Sequence, residues 1–450
     1  MKIFNYLFPF KLYLTIFQLE EYKIPRFYKW LFGNFSLRKI PTKKGLVITN
    51  KVKLIIAISA IWFFIILAKN ILVAFLFLFQ PYFLYSLAIL TLKPYEIYNK
   101  RRIIKKTHRK IQGCKNLKVI AVTGSYAKTS VKEILYQILK EKYPTLRTPE
   151  SYNTIFGIAK VVDLELDASY DFFICELGAY KKGEIKELSR MVSPAFGIIT
   201  GITQQHLERF GSFQNIISGK FELFEYLQNK NKMIFNLKDE NIRKEVKRRK
   251  IDKDYLVKTE NIQFGPQGST FVIKIRNKKF KIQTELFGYA HVNNIEIAAN
   301  AALMLGLSPE YIANQIKKLK PFANRLVLLR DKNSTVVDNT YNSNPAGFAE
   351  TINTAKLVAG KKVLVTPGLV ELGAKSSQFH EELGKSARGV FDEVILVGKN
   401  KRTLAFQNGL GKNAHVEFIK DTREEYANKI NELKENFNWV FLENDVTENY

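Results

Sequence analysis

The sequence predicts an α/β protein with two mostly parallel sheets, preceded by a two-helix transmembrane hairpin. From Lys118 onward, short apolar runs alternate with amphipathic stretches, which is the order of strands and helices in a parallel sheet. The long uncharged runs both lie before residue 93. With 450 residues, 46% of them hydrophobic and 13% aromatic, the chain can form large cores, and a disordered protein is excluded.

The first segment, residues 1–112, is predicted to hold the hairpin. Leu54–Ala68 is an uncharged run of 15 residues and Ile71–Leu92 one of 22. The second run is long enough to cross a hydrocarbon core of about 30 Å, and snorkelling lysines lengthen the first. A re-entrant hairpin that never fully crosses is the alternative. The expected spans are about 52–68 and 71–92, with a turn at Lys69-Asn70.

The charge distribution orients this hairpin. The net charge is +28, and residues 1–53 carry 11 Lys/Arg against 2 Glu, whereas residues 93–118 carry 10 against 1. With two crossings both basic flanks lie on one side, which the positive-inside rule makes the cytoplasm. We therefore expect a protein of the cytoplasmic membrane with its other domains on the cytoplasmic side. We expect no nucleic-acid partner, because the positive charge flanks the apolar runs and no RNA or DNA motif is present.

A central domain is predicted over residues 113–325. Its predicted strands are Lys118–Val122, Phe172–Glu176, Phe196–Thr200 and Met233–Asn236. The helices between them are Ser130–Lys142, Glu184–Met191 and Asn215–Leu227. Residues 254–287 have the short β-type runs of a small antiparallel addition, and two helices follow at Asn294–Leu305 and Pro309–Leu319.

A smaller Rossmann-like α/β domain is predicted over residues 326–450, because the alternation starts again there. Its strands are Val336–Asp338, Val363–Thr366, Glu393–Val397, Val416–Ile419 and Trp439–Glu443. Its helices lie around Ala346–Val358, Ser377–Phe391 and Arg423–Phe437.

The first strand of the central domain runs into a phosphate-loop pattern. The apolar run ends in a turn of small residues and then in Lys-Thr-Ser at a helix start, so backbone N–H groups and the helix N-terminus can hold the phosphates of ATP. Lys128 would reach the terminal phosphates, and a hydroxyl from Thr129 or Ser130 could ligand Mg²⁺. An ordinary strand-to-helix turn with a solvated lysine is the alternative. The candidate nucleotide-binding residues here are Gly124, Ser125, Ala127, Lys128, Thr129 and Ser130.

Three further polar residues follow later strands or lie on a helix. Glu176 ends an apolar strand, where its carboxylate would lie beside the phosphate loop as a Mg²⁺ ligand. His206 follows the next strand, and Lys220 lies in a helical stretch. Taken alone, a single histidine is usually structural and a helix lysine is usually solvated. The two cysteines, Cys114 and Cys175, give no disulfide or zinc framework.

In order, these motifs resemble the Mur ligase family, the ATP-dependent amide ligases of peptidoglycan precursor synthesis. The most similar branch adds D-alanyl-D-alanine to a muramoyl tripeptide. The matching stretches span roughly Lys118 to His380. They are Thr123-Gly124 through Ser130, Ser151-Tyr152-Asn153, Glu176 to Ala179 with Gly183-Glu184-Ile185, His206-Leu207-Glu208, Phe210-Gly211-Ser212, Lys220-Phe221-Glu222, Gly288, Asn294, Arg325, Asp338 to Pro345, and Glu371-Leu372-Gly373 with His380.

The resemblance implies a role for each matching residue. Lys128, Lys220 and His206 would be catalytic, with Lys220 matching the lysine that is carbamylated in this family. Thr129, Glu176, His206 and Lys220 would surround Mg²⁺. Asn294 would contact adenine, Arg325 a phosphate and Asp338 the ribose. The substrate cleft would be lined by Asn153, Tyr341, Asn342 and Asn344.

The implied reaction forms an amide through an acyl phosphate, made when a substrate carboxylate attacks the γ-phosphoryl group of ATP. The partners would be a small or lipid-linked muropeptide, an amino-acid or dipeptide amine, and the membrane, with the protein itself a monomer. The hairpin occupies the place of the family's UDP-sugar domain, which motivates the lipid-linked acceptor. The same motifs are compatible with a ligase that joins different substrates and with a catalytically degenerate nucleotide-binding scaffold anchored in the membrane.

The sequence departs from the family pattern at several positions. Ala127 replaces the glycine before the lysine and removes easy access to positive φ. Ala290-His291 stands where His-Asn is usual, and Asn339 replaces an aspartate. The chain's ending around Glu443 lacks the expected basic segment.

Overall fold

A computed structural model describes residues 10–33, 45–149, 152–204, 207–252, 255–322, 326–331, 334–340, 344–370, 372 and 375–444. The chain divides into two compact units, one ending at Ile103 and the other beginning at Ile104. The first unit is helical. Its helices are α1 (Phe10–Leu19), α2 (Ile24–Gly33), α3 (Asn50–Lys69), α4 (Ile71–Phe79) and α5 (Tyr82–Gly113), whose last turns belong to the second unit.

An aromatic cluster forms the core of the first unit. The rings of Phe17 and Phe27 stack with centroids 3.8 Å apart, and Tyr82 meets the Tyr13 ring edge to face at 5.2 Å. These contacts pack α1 and α2 against the start of α5. At the basic end of α3, Lys51 forms a 2.6 Å ion pair with Glu96 of α5.

The second predicted span, 71–92, is not one continuous helix. The uncharged run Ile71–Leu92 is interrupted at Gln80-Pro81, between α4 and α5. Proline has no backbone N–H with which to continue the hydrogen-bond pattern of α4. Its fixed φ is suited to the start of a new helix. Among the described residues, α3 alone is long and apolar enough as a single helix to cross a membrane, by length and composition.

The second unit contains a parallel five-stranded sheet of order β2-β3-β1-β4-β5. Its strands are β1 (Lys118–Thr123), β2 (Thr145–Arg147), β3 (Phe172–Leu177), β4 (Phe196–Ile199) and β5 (Met233–Phe235). The helices are α6 (Lys128–Leu139), α7 (Ile155–Glu165), α8 (Glu184–Val192), α9 (Leu207–Phe210), α10 (Phe213–Tyr226) and α11 (Glu240–Arg248). Both faces of the sheet are packed in apolar cores, so the carboxyl ends of the strands are left for a site.

A three-stranded antiparallel sheet follows, as predicted. It consists of β6 (Val257–Gly265), β7 (Gly268–Ile275) and β8 (Lys278–Thr284), and is followed by α12 (Tyr289–Met304) and α13 (Pro309–Lys317). Helix α12 packs against α6, the helix that follows the phosphate-loop pattern.

The last sheet has six strands in the order β13-β12-β11-β14-β10-β9, all parallel except β9. Its strands are β9 (Val327–Arg330), β10 (Thr335–Asn339), β11 (Lys362–Thr366), β12 (Glu393–Val397), β13 (Val416–Ile419) and β14 (Trp439–Glu443). The helices are α14 (Pro345–Ala355), α15 (Ser376–Ala387), α16 (Lys401–Leu410) and α17 (Arg423–Asn436). Phe287, just before α12, stacks on Trp439 with centroids 5.5 Å apart and ties the preceding part of the unit to this sheet.

Candidate active site

The turn after β1 passes close to the strand-end loop of β4. The Ser125 N–H donates to the Gly201 carbonyl at 2.7 Å. A side chain at Gly124 would collide with the Thr200 hydroxyl, so only glycine fits at this position. The turn then delivers the chain to the N-terminus of α6, where backbone N–H groups are unpaired within the helix.

Ala127 caps the N-terminus of α6 with φ 62° and ψ 0°. This is the left-handed conformation that glycine adopts freely and that costs another L-residue about 1 kcal/mol. Ala127 therefore keeps the loop conformation and carries its strain. Lys128 Nζ lies over the loop and donates to the carbonyls of Gly124 at 2.9 Å and Ser125 at 3.3 Å.

Glu176, at the end of β3, is buried and held by its neighbours. Its Oε2 accepts a hydrogen bond from the Thr129 hydroxyl at 2.9 Å, and its Oε1 accepts one from Asn153 Nδ2 at 3.0 Å. Lys132 Nζ lies 3.7 Å from Oε2. The hydroxyl and carboxylate predicted to bind Mg²⁺ thus lie in direct contact.

Lys220, on α10, is buried beside the same loop. Its Nζ donates to the Ala179 carbonyl at 3.4 Å. Burial lowers the pKa of Lys220 to about 7, and the positive charge of Lys128 adds to that shift. One cleft contains both lysines, and its lining is Gly124, Ser125, Lys128, Asn153, Gly178, Ala179, Tyr180, Phe210 and Lys220.

Tyr126, in the loop before Lys128, makes supporting contacts that the sequence did not predict. Its ring covers Gly201, where any side chain would clash, and its hydroxyl donates to Asp239 Oδ2 at 2.7 Å. That oxygen also accepts from the Ile202 N–H at 2.9 Å, so Asp239 anchors two loops. Burial raises the pKa of the Glu350 carboxyl, on α14 near this pair, to about 7. The available signal was an aromatic residue inside a loop of small residues.

The predicted residues after β10 make different contacts. Asp338 Oδ1 accepts hydrogen bonds from the N–H and hydroxyl of Thr340 at 3.0 and 2.7 Å. Asn344 Oδ1 caps the first turn of α14 by accepting from two backbone N–H groups, both at 3.1 Å. Asn339 Nδ2 donates to both oxygens of Glu443 on β14, at 3.0 and 2.9 Å.

Other predicted residues are buried or lie outside the described residues. Asn294 and Ser130 are buried in α12 and α6. His380 is buried and structural, because its Nε2 accepts from the Leu369 N–H at 2.8 Å and its Nδ1 contacts the Ser376 carbonyl at 2.6 Å. Four of the predicted site residues lie outside the described part of the chain: His206, Arg325, Tyr341 and Asn342. The structure therefore brings together Lys128, Thr129, Asn153, Glu176 and Lys220, and their proposed roles stay predictions.

Comparison with known proteins finds two family models. One described as the Mur ligase middle domain matches residues 122–302, and one described as the Mur ligase, glutamate ligase domain matches residues 324–442. Similar curated proteins are named UDP-N-acetylmuramoyl-tripeptide–D-alanyl-D-alanine ligase. That of Escherichia coli K12 is 28% identical over 309 residues, covering 66% of this chain and 68% of the relative. That of Bacillus subtilis is 28% identical over 332 residues, covering 71% and 70%.

Solved structures with a similar fold carry related names. The crystal structure of MurF from Acinetobacter baumannii superposes with a TM-score of 0.68 at 26% identity and covers 77% of both chains. MurF ligase from Thermotoga maritima, solved in complex with ADP, gives a TM-score of 0.67 at 24% identity and covers 78% of this chain and 81% of that one. At 24% identity, the similarity to the Thermotoga maritima structure shows the fold alone.

Proposed function

This chain belongs to the Mur ligase family, and from that premise we propose that it joins D-alanyl-D-alanine to a muramoyl tripeptide at the expense of ATP. The observation that carries the proposal is the cleft in which Lys128 and Lys220 meet, next to the Thr129–Glu176 pair. A turnover requirement for both an acid and an amine substrate would distinguish a ligase from a nucleotide-binding scaffold.

The cleft suits the charge that develops in phosphoryl transfer. The reaction begins when the tripeptide carboxylate attacks the γ-phosphorus, and negative charge then spreads over the transferred oxygens. Lys128 would leave its loop carbonyls and stabilise that charge, together with the N–H groups at the start of α6. The bond between the γ-phosphorus and ADP breaks, ADP leaves and the acyl phosphate forms. The amine then attacks the carbonyl carbon of the acyl phosphate, the amide bond forms, and phosphate leaves together with a proton from the amine. No protein nucleophile is needed.

The residues present fit a magnesium–nucleotide complex. Mg²⁺ commonly takes one or two carboxylates and completes its coordination with phosphate oxygens and water. Thr129 and Glu176 are such donors, and no group of three His, Cys, Asp or Glu residues forms a dedicated metal cage in the described part of the chain. When bound, Mg²⁺ would neutralise phosphate charge. Lys220, with its pKa lowered to about 7, has a neutral fraction able to take up CO₂, the modification that the family resemblance implies.

We further propose that the first unit anchors the enzyme at the cytoplasmic face of the membrane. Apolar side chains of α3 and α4 face outward, with Ile61 58%, Phe64 64% and Leu72 74% exposed. The run Ile71–Leu92 would cross as a helix broken at Pro81. The basic flanks support the cytoplasmic orientation.

Two experiments test these proposals. Purified full-length protein is assayed for ADP release with UDP-linked tripeptide plus D-alanyl-D-alanine, and with a lipid-linked acceptor. Sustained ADP release that needs both substrates supports the ligase, and sustained ADP release at the same rate without the amine contradicts it. Asn70→Cys, with Cys114→Ser, is then labelled with an impermeant maleimide in sealed vesicles. Labelling of the introduced cysteine from the side of the membrane opposite the catalytic domains supports two crossings. Protection of this cysteine from reagent on both sides indicates a re-entrant hairpin.

A further inference from the structure

A buried lysine lies beneath the proposed metal site and has no role in the mechanism above. Lys132, one turn after Lys128 on α6, is fully buried. Its Nζ lies 3.7 Å from Glu176 Oε2 and 3.5 Å from Glu133 Oε1. Within the described part of the chain, this Nζ makes no hydrogen bond.

The charge of Glu133 is already balanced by another residue. Arg147 Nε lies 2.9 and 2.8 Å from its two carboxylate oxygens, and the Arg147 guanidinium stacks on the Tyr136 ring at 3.8 Å. The buried ammonium of Lys132 is therefore left to balance Glu176. Burying a cation without good hydrogen bonds lowers the stability of the fold. If the only role of this side chain were packing, an apolar residue would stabilise the fold more.

We propose that Lys132 is a positioning residue that neutralises Glu176 when no divalent ion is bound, and so makes metal binding depend on nucleotide. The inference rests on the proposed function, which places the metal at Glu176. A divalent ion there and the Lys132 ammonium would repel each other across the carboxylate. Binding of the metal alone is then weak, and the negative phosphates of a nucleotide offset the repulsion.

The probe is Mn²⁺, titrated into full-length protein and followed by electron paramagnetic resonance with and without ADP. In the wild type, we expect ADP to tighten Mn²⁺ binding by at least about tenfold, the scale on which neighbours of metal ligands act. In Lys132→Met, we expect Mn²⁺ without nucleotide to bind at least about tenfold more tightly than in the wild type. Lys140→Met, an exposed change at the end of the same helix, is the matched control and should change neither value.

The proposal is overturned if Lys132→Met binds Mn²⁺ without nucleotide no more tightly than the wild type. It is also overturned if the wild type binds Mn²⁺ equally well with and without ADP, a result that needs no variant to fold. If Lys132→Met does not fold, Lys132→Gln is used instead, and its melting temperature is measured with and without Mn²⁺. Mn²⁺ should raise the melting temperature of Lys132→Gln but not that of the wild type. Glu176→Gln separates the two hypotheses, because unchanged Mn²⁺ binding with ADP would contradict the metal site itself.

Discussion

Two strand-end regions of the second unit are both rich in polar residues, yet they differ in how those residues are used. After β1 and β3, Thr129 and Lys132 of α6 both contact Glu176 of β3, which lies 47 residues after Thr129 in the sequence. After β10, Asp338 and Asn344 bond to backbone groups only two or three residues away. A polar group bonded within its own turn is explained by local structure, whereas buried charges that converge from several elements need another reason.

The largest difference is expected from Lys128→Met. The variant removes the ammonium that would stabilise the transferred phosphoryl group, so kcat/KM should fall by about 10²- to 10³-fold. The free energy of unfolding should change little, since the hydrogen bonds that Lys128 Nζ donates to Gly124 and Ser125 stay within its own loop. Steady-state ADP release and urea unfolding are the two measurements. A loss of activity below threefold would mean that Lys128 does not act in phosphoryl transfer.

Lys220→Met tests the buried charge through pH. The pKa of Lys220 is lowered to about 7 in the folded protein from an ordinary 10.5, so between these values the unfolded chain binds more protons. The free energy of unfolding of the wild type, minus that of the variant, should rise by a few kcal/mol from about pH 7 to 10.5 and level off below pH 7. Denaturant unfolding in CO₂-free buffer measures it. A difference that does not vary with pH would mean that Lys220 is solvated.

Asn344→Ala tests the opposite region. Loss of the helix cap should cost about 1 kcal/mol of unfolding free energy, with kcat/KM changed less than threefold. Thermal unfolding and ADP release give the two numbers. A tenfold loss of activity at unchanged stability would instead support the substrate-cleft role implied by the family resemblance.

The smallest effect is expected from Ala127→Gly. Glycine removes the backbone strain at φ 62°, but it also increases the conformational entropy of the unfolded chain. The free energy of unfolding should therefore rise by about 0.5 kcal/mol or less. Urea unfolding measures it. The sign matters most: a loss of 1 kcal/mol would show that the Ala127 methyl contributes packing that outweighs the backbone strain.

The sequence predicted most of the strands and part of the site. Buried parallel strands such as β3 and β12 appear as uniform apolar runs, and they were found within one residue of their ends. The short strand β2 and the amphipathic helix α16 were missed, because three residues carry little pattern and Gly409 weakens the helix signal.

Within the site, Lys128 and Glu176 were predictable because each follows an apolar strand. Tyr126 and Lys132 were not, since their importance lies in contacts with Asp239 and Glu176, which are far away in sequence. The break at Pro81 was visible in the sequence, but an uncharged run of 22 residues outweighed it in the prediction.

The charges that converge after β1 and β3 are proposed to catalyse the attack of a carboxylate on ATP. Isotope transfer tests this step: a muramoyl tripeptide with ¹⁸O at both oxygens of its terminal carboxylate is incubated with ATP and D-alanyl-D-alanine. An acyl phosphate leaves one carboxylate oxygen on the phosphate, so mass spectrometry should find one ¹⁸O in the phosphate for each amide formed. Phosphate free of label, released while the amide is made, would exclude an acyl phosphate intermediate.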